Sequence, residues 1–311
     1  MVPSGLYWPP EFARLKPTIG LERKYEWKRQ RHAIWEYRQR GVPRSEWNGG
    51  IDSYLLANSF CNVWRVLDSI SQRCVTIGRN AKSFDEQLAQ VLMLKTFNEW
   101  PTYEVLCEIL GGPPTADNLD ADRCWDELHK ARKAGRLLRL WRPAYTTGGK
   151  GLELILRSAV AIIKEGGAEK LLSCSDLYAV TAALQFYPGF GPFHATQFTL
   201  DLSYGSFLRG SLDDFCIPGI GAAKGVALAF APRAWSGAEV ADVIRLLHAH
   251  QETCYRLVTG EEAPRLQGRQ LFPMDVQSAF CETQKLLLRS AQQAYTGSGG
   301  RQDPPLLPVW W

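Results

Sequence analysis

Two glycine turns carry the most specific chemistry in this sequence. Pro188-Gly189-Phe190-Gly191 runs into Pro192-Phe193-His194-Ala195-Thr196-Gln197-Phe198, and Pro218-Gly219-Ile220-Gly221 runs into Ala222-Ala223-Lys224-Gly225-Val226-Ala227. Both fit the hairpin of a helix-hairpin-helix element. The glycines permit a tight turn with positive φ, and the backbone N–H groups at the start of the following helix point at a DNA phosphate. A plain connection between two helices would use such a turn once. Two of them, with Gly189 and Gly219 30 positions apart, favour DNA.

The charges and aromatics agree. The net charge is only +4, from 36 Lys and Arg against 32 Asp and Glu, but its distribution is uneven. Lys24, Lys28, Arg29, Arg31, Arg38, Arg40 and Arg44 are interleaved with Tyr25, Trp27, Trp35, Tyr37 and Trp47. A second cluster, Arg132, Lys133, Arg136, Arg139 and Arg142, stands beside Trp141. Phosphate backbones attract such charge and unstacked bases attract the rings, although a solvated helix face with packed tryptophans reads the same way. Lys95 is different in kind. It falls on an apolar ridge, three after Leu92 and four after Val91, where an ammonium must snorkel, pair with an acid or face an anion.

The elements that must position these groups are helices. Residues 22–40 read as a charged aromatic helix ended by Gly41 and Pro43. In 52–74, Leu56, Phe60, Val63, Leu67 and Ile70 recur at steps of four and three, the mark of an amphipathic helix. Its opposite face carries Asn58, Asn62, Arg65 and Ser69, with Asp68 adjoining. Residues 84–98 form a helix on Leu88, Val91 and Leu92, and Pro101 opens another that stops near Gly111-Gly112. Residues 122–140 read as a basic helix, 146–151 as a loop, and 152–186 as two helices, the second capped by Ser175-Asp176. On the last helix Asp275, Ser278, Glu282, Lys285 and Arg289 form one polar stripe, which by itself reads as a solvated face.

Alternating β patterns are absent, so the expected class is mainly α. Residues 1–21 read as an irregular segment, 22–295 as one helical unit and 296–311 as a flexible tail, with Trp310 and Trp311 either docked or exposed. No run reaches the roughly 18 apolar residues of a membrane span, and the start lacks a secretion signal. The expected location is therefore the cytoplasm. The eight cysteines show no C-x2-C spacing and the five histidines no H-E-x-x-H, so no metal site is read and buried reduced thiols are expected.

In helix-hairpin-helix DNA glycosylases an aspartate follows the hairpin by roughly twenty residues. Asp213 and Asp214 lie 22 and 23 after Gly191, and Asp201 lies 10 after it. Five segments then resemble a narrower family. Asn62-Val63-Trp64-Arg65-Val66-Leu67-Asp68 resembles its N-V-[YFW]-R-x-[LV]-D signature, and Lys95-Thr96-Phe97-Asn98 with Thr102-Tyr103 its [RK]-x-F-N and T-[YW] pair. Gly191-Pro192-Phe193 leading to Asp201-Leu202-Ser203-Tyr204 resembles its G-P-F … D-L-x-Y block. Asp214-Phe215 with Pro218-Gly219-Ile220-Gly221-Ala222 resembles its acidic-F … P-G-x-G-A turn, and Asp275-Val276-Gln277-Ser278 with Phe280-Cys281-Glu282 and Lys285 its ending. The family is the α-glutamyl/putrescinyl thymine pyrophosphorylases, amino acid:DNA transferases of phages with hypermodified thymine. The match is spread over about residues 30–290. Ser278 stands where Asn is usual and Leu286 where an aromatic is usual, departures that bear on the amine rather than on the class.

The resemblance implies a glycosylase-like helical fold and double-stranded DNA carrying 5-hydroxymethyl-deoxyuridine already converted to its pyrophosphate ester. An amine, glycine or another amino acid, would displace pyrophosphate from the 5-methylene carbon. The chain needs no cofactor for this beyond the amino acid co-substrate; whether a divalent metal assists, and the oligomeric state, stay open. Arg65, Lys95, Lys224 and Lys285 are the implied pyrophosphate cations. Asp201, Asp214 or Glu282 would take the amine's proton. Asn62, Asn98 and Gln277 would read a flipped base, and Phe97 or Phe280 would stack on it. Asp68 and Asp275 would orient their neighbours, and Gly189, Gly191, Gly219 and Gly221 would meet DNA phosphates. A base-excising DNA glycosylase and a non-catalytic helix-hairpin-helix module are the alternatives.

Overall fold

A computed structural model describes residues 5–47, 50–142, 148–231, 233–290 and 303–311 of the chain. In chain order its helices are α1 (Ile19–Gln39), α2 (Ser53–Ala57), α3 (Ser69–Asn80), α4 (Phe84–Phe97), α5 (Trp100–Leu110), α6 (Ala121–Lys133) and α7 (Gly148–Lys164), followed by α8 (Gly167–Leu172), α9 (Leu177–Gln185), α10 (Pro192–Leu202), α11 (Ile220–Ala229), α12 (Gly237–Ala249), α13 (Gln251–Thr259) and α14 (Pro273–Leu287). The fold is mainly helical, as the periodicity predicts. Among the described residues β pairing is limited to two isolated bridges, Pro17 with Phe230 and Leu266 with Arg269. The helices form two compact units, Met1–Asp68 with Leu212–Pro305, and Ser69–Ser211 with Leu306–Trp311. The span 22–295, read from sequence as one unit, is thus divided between them.

The first unit is built around α14, which is buried on nearly every side: Asp275, Val276, Gln277, Ser278, Ala279 and Phe280 are all buried. Helix α11 packs directly on it. A Cβ at Gly225 would strike the Phe280 carbonyl, and one at Gly221 would strike the Cys281 sulfur, so these glycines set how closely the two helices approach. Helix α1 packs on α11, α13 and α14. The irregular segment expected before it contains a 3-10 turn at Pro10–Leu15, and α1 starts where the Thr18 hydroxyl accepts from the Gly20 N–H at 3.1 Å.

The helix predicted over 52–74 is interrupted. Helix α2 ends at Ala57, a 3-10 turn spans Arg65–Leu67, and α3 begins only at Ser69. The break is made by side chains that compete with helical hydrogen bonding. The Asn62 N–H donates to Asp68 Oδ1 at 2.7 Å, and the Asn62 amide donates to the Leu67 carbonyl at 2.7 Å. The apolar period survives because Val63, Leu67 and Ile70 are buried all the same.

In the second unit α4 is central, packing on α3, α5, α7 and α10. Its predicted ridge of Leu88, Val91 and Leu92 is at most 1 % exposed, and Ala89, Met93 and Leu94 are buried as well. Helices α9 and α10 pack together around the first glycine turn. Gly189 has φ +81°, and α10 opens with Pro192 after an N-cap glycine, Gly191, that supplies no side-chain cap. Asp176 caps α9 by accepting from the Ala179 N–H at 2.8 Å.

The second glycine turn departs from the expected hairpin. No helix lies between the end of α10 at Leu202 and the start of α11 at Ile220. Gly219 has φ −86°, and neither it nor Gly221 is among the residues with positive φ. Gly221 serves the close contact with α14 instead. Three smaller differences follow. The basic helix predicted over 122–140 stops at Lys133, residues 148–151 begin α7 rather than a loop (143–147 lie outside the described residues), and 152–186 hold three helices. Part of the expected tail is also docked. The Trp310 indole donates to the Ser203 and Gly205 carbonyls at 2.9 and 3.0 Å, and Arg79 donates to the Leu307 carbonyl at 2.7 Å.

Candidate active site

The first unit gathers residues that are far apart in sequence into one polar net. Arg31 of α1 donates to Asn62 Oδ1 at 2.6 Å and to the Cys61 carbonyl at 3.0 Å. Asp68 holds Asn62 and lies 3.4 Å from the Arg65 guanidinium, which also reaches the Cys61 sulfur at 3.2 Å. Asp275, in the first turn of α14, accepts from the Arg65 N–H at 2.7 Å and from the Phe272 N–H at 3.0 Å. One turn before the end of α14, Glu282 accepts from the Cys61 N–H at 3.1 Å and from Lys285 at 2.5 Å. The interrupted segment at 58–68 is therefore clamped to both ends of α14, and its loss of helix is what turns Asn62, Arg65 and Asp68 toward the same groups.

The electrostatics follow from burial with compensation. Burial raises the Asp68 carboxyl, opposed chiefly by the Arg65 charge. Burial pushes Asp275 up to about 6, against its two backbone donors. The Cys61 thiol is raised by burial and then by Glu282. Burial works to lower Lys285, but Glu282 and the neighbouring thiols outweigh it and hold the ammonium above its ordinary value. Asn62, Asp275 and Glu282 are buried, while the Arg65 and Lys285 side chains are 15 % and 33 % exposed. The net thus keeps Asp275 and Glu282 inside while Arg65, Lys285 and, at 21 %, Asp68 reach solvent, and its two partly exposed cations suit an anionic group arriving there. Glu282, Lys285, Asp275 and Ser278 are not the solvated stripe that their spacing alone suggests.

The other predicted residues of this unit are more scattered. Gln277 is buried on α14, with its amide nitrogen facing Gly219. Phe280 is fully buried, so its ring offers no face to a flipped base in this conformation. Lys224 and Asp214 are exposed.

The second unit holds its own buried cluster. Lys95, 2 % exposed, pairs with Asp201, 0 % exposed, at 2.7 Å. Lys95 also donates to Asn98 Oδ1 at 3.2 Å, and the Ser71 hydroxyl donates to Asp201 Oδ1 at 2.9 Å. Asn98 closes α4 in the left-handed conformation, φ 48°, which places its amide over the last turn that carries Lys95. The apolar-ridge lysine therefore has an internal carboxylate as its partner. Phe97 is a core residue with no exposed ring face.

The N-terminal basic and aromatic cluster also reads differently in three dimensions. Lys24, Tyr25, Trp27, Lys28 and Arg31 are inside rather than on a DNA-facing surface. Arg136 pairs with Glu108, and Arg139 and Arg142 both pair with Glu99. Lys24, Lys28 and Arg31 are the groups that sequence reasoning left out of the site. Their signal was present, because they share three- and four-residue steps with the buried Leu21 and Tyr25. Among the described residues no three His, Cys, Asp or Glu side chains gather as a metal site would require, and no helix is long and apolar enough to cross a membrane.

Comparison with known proteins gives one result. The family described as "5-hmdU DNA kinase, helical domain" matches residues 18–296. No curated protein and no solved structure gave a match.

Proposed function

The chain belongs to the 5-hmdU DNA kinase helical-domain family; from that membership we propose that it acts on 5-hydroxymethyl-deoxyuridine in DNA, and from its motif segments and the net they form that it does so as an amino acid:DNA transferase of thymine hypermodification. The substrate is the pyrophosphate ester of the base in duplex DNA, and an amine, such as an amino acid, is the co-substrate. The amine nitrogen bonds to the 5-methylene carbon while the carbon–oxygen bond to pyrophosphate breaks. Pyrophosphate leaves with the electron pair, and the nitrogen's proton passes to a carboxylate.

The observation that carries this reading is the net of Asn62, Arg65, Asp68, Asp275, Glu282 and Lys285 in the first unit. A good leaving group needs cations placed where its charge develops rather than a covalent nucleophile, and Arg65 and Lys285 are the partly exposed cations of the net. Glu282 stands beside them as the proton acceptor, with Asp214 as the other carboxylate of this unit; Asp201, closed in its pair with Lys95, is not available for that role. Asp68 and Asp275 position Arg65 through its side chain and its backbone. The α9–α10 hairpin, with its uncapped helix start at Gly191, suits a DNA phosphate.

The family description favours a second reading, a helical module serving phosphorylation of the same base. Transfer is preferred because Arg65 and Lys285, the partly exposed cations of the net, stand beside Glu282, as displacement of pyrophosphate by an amine requires. The test is to incubate the protein with DNA containing 5-pyrophosphoryloxymethyl-deoxyuridine and mixed amino acids, digest to nucleosides and weigh them. A nucleoside heavier by the amine supports transfer. Abasic DNA would identify a glycosylase, and ATP-dependent phosphorylation of 5-hydroxymethyl-deoxyuridine a kinase.

A further inference from the structure

The inner face of α1 is rich in hydrogen-bond donors that lack acceptors. Lys24 and Lys28, one helical turn apart, are each 1 % exposed. Among the described residues neither ammonium has a carboxylate or a hydrogen-bond acceptor within reach; what surrounds them is aromatic. Lys24 Nζ lies 4.0 Å from the Tyr25 ring centroid and 5.4 Å from that of Phe280, and Lys28 Nζ lies 4.9 Å from that of Tyr255. Cation–π contact recovers only part of what burial costs an ammonium.

The neighbouring donors are orphaned too. The Trp27 and Trp64 indole N–H groups are buried without a hydrogen-bond partner, as are the Tyr25 hydroxyl and His32 Nδ1, which can accept as well as donate. Trp27 and Lys28 follow Lys24 by three and four residues, His32 follows Lys28 by four, and its ring lies 5.3 Å from that of Trp64. Buried polar groups are ordinarily satisfied. Ammonium and indole donors left without a hydrogen bond are the complement of an oxyanion.

We propose that Lys24 and Lys28, with the donors beside them, form an anion subsite that takes the pyrophosphate group. This rests on the transfer reading above and adds to it a place for the leaving group. Lys28 faces Glu252 and Asp275 electrostatically, Lys24 faces Cys254, and His248 and His32 are close enough to feel Lys24 and Lys28 respectively. Asp275 ties the subsite to the net that holds Arg65. Burial lowers Lys24 to about 7 and Lys28 to about 8, so the empty site is close to shedding protons and an arriving anion restores them.

The test uses inorganic pyrophosphate and the full chain. Binding is followed by calorimetry and by thermal shift for the wild type, Lys28→Met and Lys24→Met/Lys28→Met, with Lys82→Met as an exposed control. The expected result is that pyrophosphate raises the wild-type and control melting temperatures, and that the double variant loses about 100-fold in affinity, the scale of two charge-assisted hydrogen bonds. Without ligand, both methionine variants should melt at or above the wild-type temperature, because burial outweighs the pull of Glu252 and Asp275 on Lys28 and that of Cys254 on Lys24. Unchanged pyrophosphate affinity in Lys28→Met and in the double variant would overturn the subsite. So would a wild type that binds unmodified duplex DNA through these lysines but not pyrophosphate, since the ligand would then be backbone phosphate. Pyrophosphate binding without amine transfer keeps the subsite and sinks the transferase reading; transfer with unaffected pyrophosphate affinity in the variants does the reverse.

Discussion

Each unit of this protein buries lysine, and the two do so in opposite ways. In the second unit Lys95 has a carboxylate at 2.7 Å and an amide at 3.2 Å, and all three groups are buried together. In the first unit Lys24 and Lys28 lie as deep but meet aromatic rings and one another, with Glu252 and Asp275 acting on Lys28 without a hydrogen bond or ion pair to it. The difference separates two uses of a buried charge. A closed pair is spent on structure, because its partner already neutralises it. An open pair leaves a charge for something that is not part of the chain. Burial alone therefore does not mark a functional lysine; the missing partner does.

The largest effect should come from opening the closed pair. Lys95→Met leaves Asp201 buried with an uncompensated charge, and removing one member of such a pair costs about 3–5 kcal/mol. Denaturant unfolding should show that loss, and Lys95→Met/Asp201→Leu should recover part of it. Unchanged stability with transfer reduced about 10²-fold, the scale of one lost transition-state contact, would move Lys95 from structure to the pyrophosphate and erase the contrast.

A smaller loss is expected where the first unit is disturbed by packing alone. Gly225→Ala drives a methyl group into the Phe280 carbonyl, and overpacking of this kind costs about 1–3 kcal/mol. It changes no charge, so the loss should be the same at pH 6 and pH 9. A strongly pH-dependent loss would mean that the α11–α14 contact also governs the lysines.

The smallest effect, and the one most particular to the open pair, is a pH dependence of stability. Lys24 and Lys28 ionise at about 7 and 8 in the folded protein, against 10.5 for a free lysine. Between those limits the unfolded chain binds more protons, so stability rises with pH from about 7 toward 10. Asp275 acts with the opposite slope at lower pH. Its folded value of about 6 exceeds the ordinary 3.8, so its contribution is full below 3.8 and is lost as pH rises through 6. Together they place a stability minimum near pH 6–7. Melting curves should show that minimum in the wild type and lose its alkaline side in Lys24→Met/Lys28→Met. Pyrophosphate should fill it in. An alkaline rise that persists in the double variant would assign it to other groups.

The parts that were legible in the sequence are those where one period dominates. Helix α4 follows from its apolar spacing, and α1 and α5 from their Pro and Gly boundaries. The segment 58–68 was not legible as a break, because its apolar residues keep a helical period while Asn62 and Asp68 take the backbone elsewhere. The motif residues Asn62, Arg65, Asp68, Asp275, Glu282 and Lys285 were identified, and the fold brings them into one net. Lys24 and Lys28 were visible only as members of a basic run. Charge counted along a chain cannot tell a solvated lysine from one enclosed by α13 and α14, since the enclosing residues come from more than 220 positions later.

The central claim, that this chain exchanges pyrophosphate for an amine on a DNA base, is tested most directly by stoichiometry. Pyrophosphate released and modified nucleoside formed should be quantified in the same reaction, with DNA carrying the pyrophosphate ester, an amino acid and no nucleoside triphosphate. The account predicts one pyrophosphate for each amine-bearing nucleoside, with both products falling together when the amine is withheld. Pyrophosphate release that continues without an amine, or nucleosides altered only when ATP is supplied, would contradict it.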